Sequence, residues 1–138
     1  MQVYKKCCID SCVWIKYAGH FKISTLLSWI KDNGLIVYAD NYLLSEIHEA
    51  LIIGFKFSIH EADSIVRIIS LFIILTTPKN IYRLAPDPED NYLYDLCIQN
   101  NCTHLITVDR QILSDLYAPF IRRTDAWLRK MNKNSWFN

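Results

Sequence analysis

Short apolar runs alternate with stretches of helical periodicity along the whole chain, and this alternation limits the fold more than any other feature. The runs are Val3 to Ile9, Leu35 to Ala39, Leu71 to Leu75, His104 to Val108 and Phe120-Ile121. Adjacent parallel strands need a long crossover, usually a helix, and a helical stretch separates each run from the next. The pattern therefore predicts an α/β protein, a three-layer α/β/α sandwich whose central, mainly parallel sheet is covered on both faces.

The helices announce themselves by apolar spacing and by their ends. Ile23, Leu26, Leu27 and Ile30 recur at helical spacing and stop at Asn33-Gly34. Asp40-Asn41 starts the next helix, in which Leu43, Leu44, Ile47 and Leu51 form the buried stripe, Glu46 shares a neighbouring face with Glu49, and Gly54 marks the end. Ser58-Ile59-His60-Glu61 has capping-box spacing and opens a third, striped by Ile59, Ala62, Ile65, Val66 and Ile69. In Asp87-Pro88-Glu89-Asp90 the first acid caps and the proline takes the first helical position, so Asp90 falls in the first turn of a helix reaching Asn100. Arg110 to Leu116 and Thr124 to Lys130 complete the helices, with the last run of strand before the latter.

At 138 residues the chain suits one domain that buries about 70 per cent of its unfolded surface. Residues 1–131 are read as that domain and 132–138 as a tail. Fifteen basic residues against fourteen acidic ones leave a net charge of +1, which lacks the strong bias of many nucleic-acid binders. Five cysteines, an odd count without a C-x-x-C pair, point to a reducing, cytoplasmic compartment. No apolar run approaches the roughly 20 residues of a membrane helix, and Asp10 breaks the run behind Lys5 and Lys6, so no signal peptide is read. The four histidines fit no zinc spacing, and the cysteines read as small buried apolar groups.

Two of the runs stop on an acid: Cys8-Ile9-Asp10-Ser11 and Leu105-Ile106-Thr107-Val108-Asp109-Arg110. Ligand crevices in open α/β sheets lie outside the carboxyl ends of the strands, so Asp10 and Asp109 are placed to face one pocket, with Glu46 and Asp90 near the starts of helices at the same end. At roughly 4 Å and an effective dielectric of about 20, each like-charge contact costs about 4 kcal/mol. Four carboxylates so placed call for a counter-cation, and hard oxygen ligands favour Mg²⁺ or Mn²⁺. Such ions acidify bound water and neutralise phosphate charge, which is the chemistry of phosphodiester hydrolysis. Read singly, each acid is also explicable as a helix cap or a first-turn acid favoured by the helix dipole. Lys16 and Arg110 are candidate contacts to RNA phosphates, and Trp14 a candidate border of the cleft.

With the surrounding residues, these acids resemble the PIN-domain ribonucleases, above all those that are toxins of bacterial toxin-antitoxin pairs. The resemblance runs in order through Cys8-Ile9-Asp10-Ser11, Leu43-Leu44-Ser45-Glu46-Ile47, Asp87-Pro88-Glu89-Asp90-Asn91 and Ile106-Thr107-Val108-Asp109-Arg110. It implies metal binding and catalysis by Asp10, Glu46, Asp90 and Asp109, with Ser11 and Thr107 as polar support. It also implies Mg²⁺-dependent cleavage of single-stranded RNA, homodimerisation, and a cognate antitoxin that blocks the site. One position departs: the family commonly has Asp-Thr-Asn or Asp-Ser-Asn at the first acid, and this chain has Asp10-Ser11-Cys12. The alternative that Cys12 favours is a PIN-fold module with weakened or lost catalysis that binds RNA or protein. A phospho-receiver is a third reading, but no lone acceptor aspartate with a partner lysine is found.

Overall fold

The computed structural model describes residues 5–79, 81–115 and 122–124. Among the described residues, five parallel strands make one sheet: β1 (Lys5–Ile9), β2 (Leu35–Ala39), β3 (Ile73–Leu75), β4 (His104–Ile106) and β5 (Arg122–Thr124), in the order β3-β2-β1-β4-β5. Helices α1 (Ser11–Gly19), α2 (Ile23–Asp32), α3 (Asn41–Phe55), α4 (Ile59–Ser70), α5 (Asn91–Gln99) and α6 (Arg110–Leu113) connect them. Among the described residues, no helix is long and apolar enough to cross a membrane.

Side-chain alternation along the strands divides the interior in two. Cys7 and Ile9 of β1, with Val37, Ala39 and Ile106, face a core built with α1 to α4, in which Trp14, Leu26, Leu43, Ile47, Leu51 and Ile69 are buried. Cys8 and Leu105 point to the opposite face and pack with Leu93, Tyr94, Leu96 and Cys97 of α5 and Ile112 of α6. Both faces are thus covered, which is why the central strands are apolar almost throughout.

Local chemistry sets most helix ends. Ser58 and Glu61 make the reciprocal capping box, with Glu61 N–H donating to Ser58 Oγ at 3.1 Å and Ser58 N–H to Glu61 Oε1 at 2.9 Å. Asp40 caps α3 by accepting from Leu43 N–H at 2.8 Å. Gly54 does not end α3: the helix runs through Phe55 and stops at Lys56, which takes a left-handed φ of 61°. The reason is the ring of Phe55, which lies against Gly19 and meets His20 edge-on, so one more helical residue seats it.

Several strands are shorter than their apolar runs. Leu71 and Phe72 fall outside β3 because α4 continues to Ser70 and Leu71 caps it, exposed. β4 ends at Ile106, because β1 pairs no further than Ile9 before the chain turns into α1. The 3-10 turn Pro88–Asp90 precedes α5, which begins at Asn91, and α6 stops at Leu113. The start of the first expected strand at Val3, the strand at Phe120-Ile121, the helix beyond Thr124 and the tail lie outside the described residues, while Thr124 itself belongs to β5. Trp14 does not border a cleft; it is fully buried, with an Nε1–H that finds no partner among the described residues.

Candidate active site

The sheet order reverses at β1: the chain steps outward from β1 to β2 and β3, then returns to lay β4 on the other side. A crevice opens at such a switch point, outside the carboxyl ends of the strands. Asp10 follows β1 and Asp109 lies three residues beyond β4, so both acids stand at this end. The N–H of Asp10 donates to the carbonyl of Ile106 at 2.9 Å and locks the two strand ends together.

Asp10 is the buried anchor, only 5% exposed. Its Oδ2 accepts from Thr107 Oγ1 at 2.7 Å and from Cys12 Sγ at 3.3 Å, and its Oδ1 from Ser11 Oγ at 3.4 Å. Thr107 also accepts from the N–H of Asp109 at 3.0 Å, so one hydroxyl fixes both acids. Burial and the neighbouring charge of Asp10 push the Cys12 thiol up to about 12, which keeps it protonated and donating. Ser11, Thr107 and Cys12, the residue at which the sequence departs from the family, thus all donate to the one carboxylate.

The acids differ in how far a capping role explains them. Asp109 caps α6 through Oδ1, accepting from Gln111 N–H at 2.8 Å and Ile112 N–H at 3.4 Å. Asp90 makes no capping bond to α5, and Asp87 caps the preceding turn instead, accepting from Glu89 N–H at 3.0 Å. Asp90 is half-buried. Burial first, then the charges of Asp10, Asp109, Asp87 and Glu46, push its carboxyl up to about 6. Glu46 lies half-buried in the second turn of α3.

Two tyrosines complete the site and escape a search for acids. Tyr92, in the first turn of α5, has its hydroxyl pushed up by burial and then by Glu46, with Asp10 and Asp40 adding, while a hydrogen bond with Ser11 opposes the shift. Its ring meets Tyr42 of α3 edge-on, with centroids 4.7 Å apart. Their signal in the sequence is position alone: each lies two residues after the aspartate at a helix N-cap, Asp40 for Tyr42 and Asp90 for Tyr92. Arg110 is exposed directly after Asp109, whereas Lys16 lies in the last turn of α1.

The donor set fits a hard divalent cation. It is all carboxylate oxygen, and the neighbouring negative charges that, after burial, raise the Asp90 carboxyl are of the kind a cation neutralises. Among the described residues no three of these carboxylates bring oxygens within 4.8 Å of one another; the one group of ligand-type residues that does so is Cys8, Cys97 and Cys102. Mg²⁺ is normally held by one or two carboxylates, with water and substrate oxygens in its remaining positions. A family model described as a PIN domain matches residues 6–111, more than half of the chain and a span that contains the four acids. No curated protein matches.

Proposed function

Because the chain belongs to the PIN-domain family, whose members are generally nucleases, we propose that it is a Mg²⁺- or Mn²⁺-dependent endoribonuclease that cleaves single-stranded RNA. The observation that carries this reading is the join at the strand ends: Thr107 Oγ1 donates to Asp10 Oδ2 at 2.7 Å and accepts from the N–H of Asp109 at 3.0 Å, which sets two acids side by side at the switch point. Asp10, Glu46, Asp90 and Asp109 are the carboxylates from which the cation would draw its protein ligands. When bound, the cation supplies an acidified water and neutralises charge on the scissile phosphate.

The chain's own residues divide the remaining work. Thr107, Ser11 and Cys12 aim the Asp10 carboxylate by donating to both of its oxygens. Tyr42, 54% exposed, offers a ring face on which a base can stack. Arg110 offers a cation to the RNA backbone. The finer role that fits is the toxin of a toxin-antitoxin pair, dimeric and held inactive by a cognate antitoxin in the cytoplasm.

The second reading, an RNA- or protein-binding module without catalysis, is favoured by Cys12, whose thiol is a weaker donor than an amide. The purified chain on single-stranded RNA separates the two. Cleavage with Mg²⁺ that stops with EDTA, and that is lost in Asp10→Asn and in Asp109→Asn folded variants, is the expected result. Cleavage indifferent to chelation sinks the mechanism, and saturable Mn²⁺ uptake without cleavage moves the assignment to the binding module.

A further inference from the structure

The thiols of Cys8, Cys97 and Cys102 converge in the second core, where neither the acids nor the RNA reading uses them. Their sulfurs all lie within 4.8 Å of one another, and Cys8 Sγ and Cys102 Sγ are 3.9 Å apart. Cys8 lies some ninety residues before the other two, which are five apart. Cys8 faces α5 because it alternates with Cys7 and Ile9 on β1; Cys97 lies on the buried side of α5. Cys102 is brought back to it by a turn in which Asn101 takes a left-handed φ of 55° and Cys102 N–H donates to the Cys97 carbonyl at 2.8 Å. The next residue donates in turn to β1, Thr103 N–H to the Lys6 carbonyl at 3.0 Å.

We propose that this cluster is a three-sulfur binding site for one soft, thiophilic metal ion, of the Cu(I) class. The chemistry of the donors sets the class: thiolates select Cu(I), Zn²⁺ and iron-sulfur clusters over hard ions. Structural Zn²⁺ sites are almost always four-coordinate, and iron-sulfur clusters take four cysteines. Here, among the described residues, the group closes at three. A metal-sulfur bond of about 2.3 Å sets the edge of a trigonal sulfur set at about 4 Å. The Cys8–Cys102 separation already meets it, and the other edges close by under about 1 Å. Cys8 and Cys97 are fully buried and Cys102 is 5% exposed, so entry is at the Cys102 rim, beside the exposed Asn101 and Thr103. Each sulfur-metal bond forms as that thiol gives its proton to solvent, and the ion keeps its oxidation state.

The site is independent of the nuclease reading, and its test reads binding alone. The reduced full chain is titrated with Cu(I) without oxygen, against a coloured Cu(I) chelator, and the bound form is measured by X-ray absorption. One equivalent per chain and three sulfurs at about 2.3 Å are expected. Cys97→Ser and Cys102→Ser, each checked for folding by circular dichroism, lower the affinity at least a hundredfold. Cys12→Ser and Asp10→Asn leave it unchanged, which separates the site from the acidic crevice. Absence of stoichiometric uptake overturns the proposal, as does uptake that survives both serine variants. Rapid formation of a Cys8–Cys102 disulfide with oxidised glutathione, in a protein that takes up no Cu(I), overturns it in favour of a redox pair.

Discussion

Replacing Thr107 by valine probes the geometry of the acidic crevice most directly. The side chain is fully buried and keeps its shape in Thr107→Val, so the change removes little but the hydroxyl. That hydroxyl donates to Asp10 Oδ2 at 2.7 Å and accepts from Asp109 N–H at 3.0 Å. A hydrogen bond to a charged group contributes about 1.5–3 kcal/mol, and a neutral one about 0.5–1.5 kcal/mol. Cys12 and Ser11 remain on Asp10 but with longer contacts of 3.3 and 3.4 Å. The expected destabilisation is about 2–4 kcal/mol, a large share of the 5–15 kcal/mol typical of a domain. Urea unfolding in EDTA should show it as a midpoint lowered by about 1–2 M, with the slope unchanged. Thr107→Ser keeps the hydroxyl, loses a methyl, and should cost only about 1 kcal/mol. Mn²⁺ uptake should weaken about 10- to 100-fold in the valine variant, as for other groups that orient a metal ligand. A valine variant within about 0.5 kcal/mol of the parent, or a serine variant equally damaged, refutes the role given to this hydroxyl.

Three further outcomes are expected. Asp90 has a raised carboxyl in the folded state, so its contribution to stability is fully present below about pH 4 and is lost as the pH rises through about 6. Asp90→Asn should therefore stabilise the metal-free protein at pH 7.5 by about 1 kcal/mol after solvent screening, and not at pH 4; equal melting shifts at both pH values contradict the crowding. Cys12→Asn supplies an amide donor to Asp10 and should raise Mg²⁺-dependent cleavage several-fold, and a loss of activity shows that the thiol is the better partner here. Gly19→Ala sets a methyl against the Phe55 ring and should destabilise by about 1–3 kcal/mol in thermal melts, whereas an unchanged melt shows that the ring yields freely.

The helix starts were legible because each depends on a few neighbouring residues. Ser58 and Glu61, or Asp40 and Leu43, find one another within a single turn. The ends were less so: Gly54 suggested a stop that Phe55 overrode, because the packing of that ring on Gly19 is settled by another helix. Strands overran in the reading, since an apolar run records burial and not pairing, and β3 keeps only three residues at the sheet edge.

The four acids show the same division. Their identity and their place after strands or at helix starts are written in the chain, and so is the parallel α/β class, because side-chain period and cap chemistry are local. Only the tertiary structure set β4 beside β1, and with it the bond from Thr107 to Asp10 across 97 positions of sequence. Only the fold left Asp90 without a capping bond, brought Tyr92 against Ser11 and Tyr42, and gathered Cys8, Cys97 and Cys102 around one point. Such contacts follow from which strand neighbours which and which face each residue turns inward, and both are decided by the burial of the whole chain at once.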